Sequence, residues 1–144
     1  MAKQIDLDSQ TEASRAIVLE FCERLGQPDL EGMFNLLHDD ATWTMVGDPE
    51  TCFFGGVHSK KKVKAILDKF IGEFETFSFE VLHSFAEGNC VAVKGASHEV
   101  LPDGREYKND YLMQYTVSCD KIRSIIEFFN PLRVFQFIKM GIPS

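Results

Sequence analysis

The chain has 144 residues, 44% of them hydrophobic and 26% charged, a length at which one domain removes roughly two-thirds of its unfolded surface from water. Its 15 basic and 22 acidic side chains leave a net charge of −7, which repels phosphate backbones and anionic membranes and so argues against nucleic-acid and membrane partners. Cys22, Cys52, Cys90 and Cys119 form no paired spacing, and the first residues lack the apolar run of a signal peptide. A reduced cytoplasmic protein is expected, with neither a zinc cluster nor a disulfide framework.

Ser9 and Glu12 have capping-box spacing and open a helix whose Ala13, Ile17, Val18, Phe21, Cys22 and Leu25 make one broad apolar face. Gly26 and Pro28 end it. Leu30, Met33, Phe34 and Leu37 mark a short second helix, and Ala41 to Met45 reads as a strand. The segment Gly47 to Val57 is loop-like, yet it contains Phe53 and Phe54, which suits a cover over a cavity. Ser59 caps a third helix carrying Val63, Ile66, Leu67, Phe70 and Phe74. The run His58 to Lys62 invites a phosphate at that helix start, but without a glycine-rich cradle in an acidic chain it reads as solvated lysines. His38 with Asp39 and Asp40 lacks a second histidine at ligand spacing, so no metal site is expected.

From Phe77 the hydrophobic period becomes two. Strands are expected over Phe77 to Phe85, Val91 to Leu101, Arg105 to Val117 and Lys121 to Phe129, joined by short turns into an antiparallel meander. Helices first and a curved sheet afterwards imply an α+β domain spanning 1–144, with helices covering one sheet face.

Treating Asp103-Gly104 as a two-residue turn sets His98 opposite Asn109 and Ala96 opposite Tyr111, and it places Glu99 against Lys108 on the outer face. This register requires a break near Gly95, because continued alternation turns Lys94 inward. Across the last hairpin, pairing Val117 with Lys121 sets Tyr111 opposite Glu127 and Asn109 opposite Phe129. The expected polar cluster is therefore His98, Asn109, Tyr111 and Glu127 among aromatic rings. Glu127 would act as base or acid and His98 as its proton partner, with Asn109 and Tyr111 polarising an oxygen.

Pro28 to Gly32 followed by Leu36 to Trp43 resembles the second helix and first strand of NTF2-like proteins, and Asp120 to Pro131 is similar to the closing strand of the SnoaL-like branch. The resemblance covers nearly the whole chain. It implies a cone-shaped sheet with three N-terminal helices on its concave face, a small apolar ligand in the mouth, and homodimers through the sheet. Ketosteroid isomerase, scytalone dehydratase and limonene epoxide hydrolase share that fold. The positions aligned with the polar residues of ketosteroid isomerase are Phe21, Met45 and Met113, all nonpolar here, so steroid isomerisation is not expected. Asn130 likewise replaces the aspartate frequent before this proline in the branch.

The reading is thus of a SnoaL-like protein that binds a small hydrophobic, oxygenated molecule, with Phe21, Trp43, Met45, Met113 and Phe129 as the apolar wall. As an enzyme it would be a cofactor-independent isomerase, dehydratase or hydratase working by general acid–base chemistry. The alternative is a non-catalytic ligand-binding or dimeric interaction module, favoured if Phe53, Phe54 and the Phe135 to Ile138 segment plug the cavity.

Overall fold

The computed structural model describes residues 2–139 in backbone and 7–138 in side chain. Helix α1 (Ala2–Gly26) begins seven residues before Ser9, so Ser9 and Glu12 lie within the helix instead of capping it. Its Val18, Phe21, Cys22 and Leu25 are buried, while Ala13 is exposed at the margin of the stripe. The short α2 (Leu30–Phe34) is capped by Asp29, whose Oδ1 accepts from the Gly32 amide at 3.0 Å.

Strands β1 (Leu37–Met45) and β2 (Gly56–Ser59) follow, the second replacing the end of the expected loop. Helix α3 (Lys60–Gly72) starts, as expected, at Ser59, whose hydroxyl accepts from the Lys62 amide at 3.2 Å. Then come β3 (Thr76–Glu87), β4 (Cys90–Val100), β5 (Glu106–Ser118) and β6 (Lys121–Phe129), within two residues of their expected limits. A further helix, α4 (Pro131–Lys139), closes the described chain. The helices are thus one long, two shorter and one C-terminal, not three N-terminal ones. Among the described residues, no helix is long and apolar enough to cross a membrane.

The sheet has six strands in the order β2-β1-β6-β5-β4-β3, antiparallel except where β1 runs parallel to β6. Its inner face meets α1 in a core of Phe21, Trp43, Val91, Met113, Tyr115 and Ile125, among others. Phe21 packs against Trp43 with ring centroids 5.8 Å apart and against Tyr115 at 5.6 Å.

Both hairpins flanking β5 differ in register from the sequence expectation. Between β4 and β5 the loop holds three residues, Pro102, Asp103 and Gly104, closed by Leu101 N–H donating to the Arg105 carbonyl at 2.8 Å. Gly104 takes φ +89°, the left-handed position that a three-residue hairpin reserves for glycine. The pairs become Glu99 with Tyr107, His98 with Lys108 and Ser97 with Asn109. Relative to a two-residue loop the ladder slips by one, and every side chain of β4 changes face. Alternation along β4 then runs unbroken, with Val91, Val93, Gly95, Ser97 and Glu99 inside. The bulge lies instead on β3, between Val81 and His83. Gly95 makes room for Phe79: a Cβ there would stand 2.5 Å from the Phe79 ring.

Between β5 and β6 the loop is Cys119-Asp120, both at positive φ (51° and 62°), and a register shift follows between Thr116 and Val117. These changes move the pairing by two, so Glu127 faces Met113 and Phe129 faces Tyr111, while the inward side of β6 is unaltered.

Candidate active site

A cavity of about 410 Å³ opens between the inner face of β5 and β6, α3 and α4. The size suits a small organic molecule. Met45, Met113 and Phe129 form part of its floor, Leu67 and Phe70 come from α3, and Phe137 from α4. Phe53 and Phe54 border it from the loop before β2. Phe54 is buried, with its ring 5.0 Å from Phe129 and 6.0 Å from Phe135, whereas Phe53 is 68% exposed at the mouth. The aromatic segments, whose plugging of the hollow would favour a non-catalytic module, narrow it and leave a cavity. His58, buried on β2, donates its Nε2–H to the Phe54 carbonyl at 2.7 Å and so tethers this loop.

Glu127 projects into the cavity. Its residual 9% exposure faces that space, and its Oε1 receives the indole N–H of Trp43 at 2.8 Å. The parallel pairing of β1 with β6 creates this contact by bringing Met45 beside Glu127 and Trp43 beside Ile125. Burial pushes the Glu127 carboxyl up to about 7, against the smaller downward pull of the indole hydrogen bond. It is therefore divided between acid and base near neutral pH.

Tyr111 also borders the cavity, two residues from Met113 on the same face and diagonal to Glu127. Both side chains thus reach the same cavity from adjacent strands. Burial first, and the nearby Tyr107, Glu127 and Glu99 charges next, hold the Tyr111 phenol well above its ordinary range. It remains a hydrogen-bond donor. Tyr107 lies beside it on the cavity wall, pushed up to about 12, mainly by burial.

The other expected site residues are placed differently. His98 lies on the outer face, 44% exposed in its side chain, with Nε2 2.8 Å from Glu106 Oε1. The one-residue slip at Gly104 turned it away from the cavity. Asn109 is 1% exposed but engaged throughout: its Nδ2 donates to Tyr107 and to the Asn130 carbonyl, and its Oδ1 accepts from the amides of Asp110 and Asn130. It anchors the entry to α4 and has no hydrogen bond to spare for a ligand. Phe21 is not on the wall; it sits behind Trp43 in the core. Trp43, Met45, Met113 and Phe129 do line the cavity.

The same slip brings inside a residue that the sequence reading placed outside. Glu99 is 0% exposed, its Oε2 accepts from the Ser97 hydroxyl at 3.2 Å, and its Oε1 has no hydrogen-bond partner among the described residues. Burial pushes its carboxyl up to about 8, opposed by the Ser97 bond. The available signal was the unbroken run Val91, Val93, Gly95, Ser97, Glu99, which keeps both valines inward without any bulge on β4.

Residues 18–125 match the family model of the SnoaL-like domain. The chain belongs to that family. Among solved structures, this SnoaL-like domain is similar to PrhC from Penicillium brasilianum (15% identity, 90% of this chain and 88% of that one, TM-score 0.80). It is also similar to an NTF2-like protein from Burkholderia xenovorans (23% identity, 88% and 95%, TM-score 0.66) and to BvnE pinacolase from Penicillium brevicompactum (14%, 89% and 93%, TM-score 0.75). At these identities the likeness establishes the NTF2-like fold. No curated protein matches the chain in sequence.

Proposed function

We propose that this SnoaL-like protein binds a small hydrophobic, oxygenated molecule and moves a proton beside its carbonyl, as an isomerase, dehydratase or hydratase working with its own side chains. The observation that carries this reading is the Glu127 carboxyl: buried among rings, turned into a cavity, held at one oxygen by Trp43 and poised at about 7. As a carboxylate it accepts a proton from carbon, and as the acid it returns one. Tyr111, on the adjacent strand of the same cavity wall, donates to the oxygen on which negative charge develops. Met45, Met113 and Phe129 position the apolar body. That a fold relative is a pinacolase is compatible with chemistry on a small oxygenated substrate.

α-Tetralone, a bicyclic aryl ketone, provides a test that needs no natural substrate. Exchange of its C2 hydrogens in deuterium oxide, followed by proton NMR, should exceed the buffer rate and fall by at least about 100-fold in Glu127→Gln. Exchange no faster than buffer, or equal exchange in the variant, would overturn the proton-transfer reading.

One surface favours a further role in assembly. Leu112 and Phe128 pair across β5 and β6 on the outer face, 51% and 49% exposed, and Phe85 on β3 is exposed on the same face at 58%. A second copy of the chain packing sheet to sheet would cover them. Sedimentation should then report a dimer that Phe128→Glu converts to monomer.

A further inference from the structure

Glu99 belongs to a continuous series of hydrogen-bonding groups that ends at the cavity. Its Oε2 is 3.2 Å from Ser97 Oγ, which is 2.9 Å from the Tyr111 hydroxyl at the cavity wall. Tyr107, the neighbouring tyrosine on this face of β5, accepts the Asn109 side-chain N–H at 2.7 Å. Both tyrosines border the cavity, whereas Glu99 is sealed from it and from solvent.

Each hydroxyl has a single hydrogen to give, so the end group decides the direction of the whole series. When Glu99 is a carboxylate it can only accept: Ser97 donates to it and Tyr111 to Ser97, so the Tyr111 hydrogen is engaged away from the cavity. When Glu99 carries a proton it donates to Ser97 and Ser97 to Tyr111, which leaves the Tyr111 hydrogen free to point at a ligand.

We propose that Glu99, acting through Ser97, is a positioning residue that sets whether the tyrosine end of the cavity offers a hydrogen, and that the ligand presents a carbonyl-type oxygen there. The ligand part of this proposal rests on the reading of the cavity given above; the reversal of the series does not. Burial that lifts Glu99 to about 8 brings the reversal into an accessible range, while Tyr107 and Tyr111 keep their hydrogens across it. The titratable groups that sense the Glu99 charge are these two tyrosines on β5, and Glu127 on β6 acts on the same pair. From α3, Lys69 and Glu73 reach the cavity; the inward residues of β3 beside the site are Phe77 and Phe79; the α4 wall is Val134 and Phe137. The buried thiol of α1, Cys22, contacts Tyr115.

The chain has three tyrosines, so ring-carbon (13Cζ) labelling of tyrosine gives a signal for each, assigned with Tyr107→Phe and Tyr111→Phe. Without ligand, the Tyr111 signal should shift with a midpoint near 8; the shift should shrink in Ser97→Ala, which leaves only the field of the Glu99 charge, and vanish in Glu99→Gln. Neither variant is needed to refute the idea: a wild-type Tyr111 signal that stays flat through this range, or that follows the midpoint near 7 of Glu127, would overturn it. A second measurement addresses the ligand. In a Glu127→Gln background, where the other carboxyl is silent, α-tetralone affinity read from the single tryptophan should fall about tenfold between about pH 6.5 and 9.5. Adding Glu99→Gln should keep the higher affinity at both values. Equal affinity across pH without that second change would refute the ligand part alone.

Discussion

Glu127 and Glu99 are two buried carboxyl groups on one face of one sheet, and burial raises both. They differ in what surrounds them. Glu127 receives a strong N–H donor from Trp43 and opens onto the cavity; Glu99 receives one serine hydroxyl, keeps one oxygen without a partner among the described residues and meets no solvent. A carboxyl that is held and accessible can exchange protons with a bound molecule. One that is sealed acts only on its neighbours, here the hydroxyls of Ser97 and Tyr111. Burial of an acid therefore marks a strained group, and access decides its use.

The largest expected effect tests whether burial is shared. Both carboxyls bind protons more tightly folded than unfolded, so their stabilisation is complete below their ordinary value of 4.5 and is lost as pH rises through about 7 for Glu127 and about 8 for Glu99. Denaturant titrations should show the protein weaker by about 3–4 kcal/mol at pH 9 than at pH 6, if other groups contribute little. Glu99→Gln should remove the larger part of that slope and Glu127→Gln the smaller; a flat profile in the wild type would contradict the burial of both.

Removing the partner of one carboxyl sharpens the contrast. Trp43→Phe deletes the indole donor and should raise the Glu127 midpoint above about 7, leaving that of Glu99 alone, at a stability loss of about 2–3 kcal/mol at alkaline pH. Carbon-13 carboxyl NMR of glutamate-labelled protein measures both midpoints.

Smaller effects concern the turns that deliver the two carboxyls. Gly104→Ala meets no atom within 4 Å, so its cost is backbone strain at φ +89° alone and should be about 1–2 kcal/mol by chemical denaturation. Asp120→Gly, at φ 62° in the other turn, should change stability by less, within about 1 kcal/mol and toward greater stability. A Gly104→Ala protein as stable as the parent would contradict the three-residue loop.

Those turns also explain how far the site was legible. The strands, the Ser59 cap and the inward Glu127 followed from periodicity and capping chemistry, which are local properties of β3 to β6 and α3. Reading Asp103-Gly104 as a two-residue turn shifted one ladder by an odd number and exchanged Glu99 for His98. The error in the last hairpin was even, and it left Glu127 on the correct face. Helix α4 and the β1–β6 pairing were not anticipated, although both shape the cavity.

By itself the sequence determined which residues form strands and helices and that a carboxylate shares a face with aromatic rings, because period and capping act over a few neighbouring positions. Tertiary structure decided the loop length at Gly104, the Trp43 contact to Glu127 and the sealing of Glu99. Each of these depends on how strands and helices distant in sequence pack together, and on a one-residue choice of register whose local cost is small beside the burial it redirects.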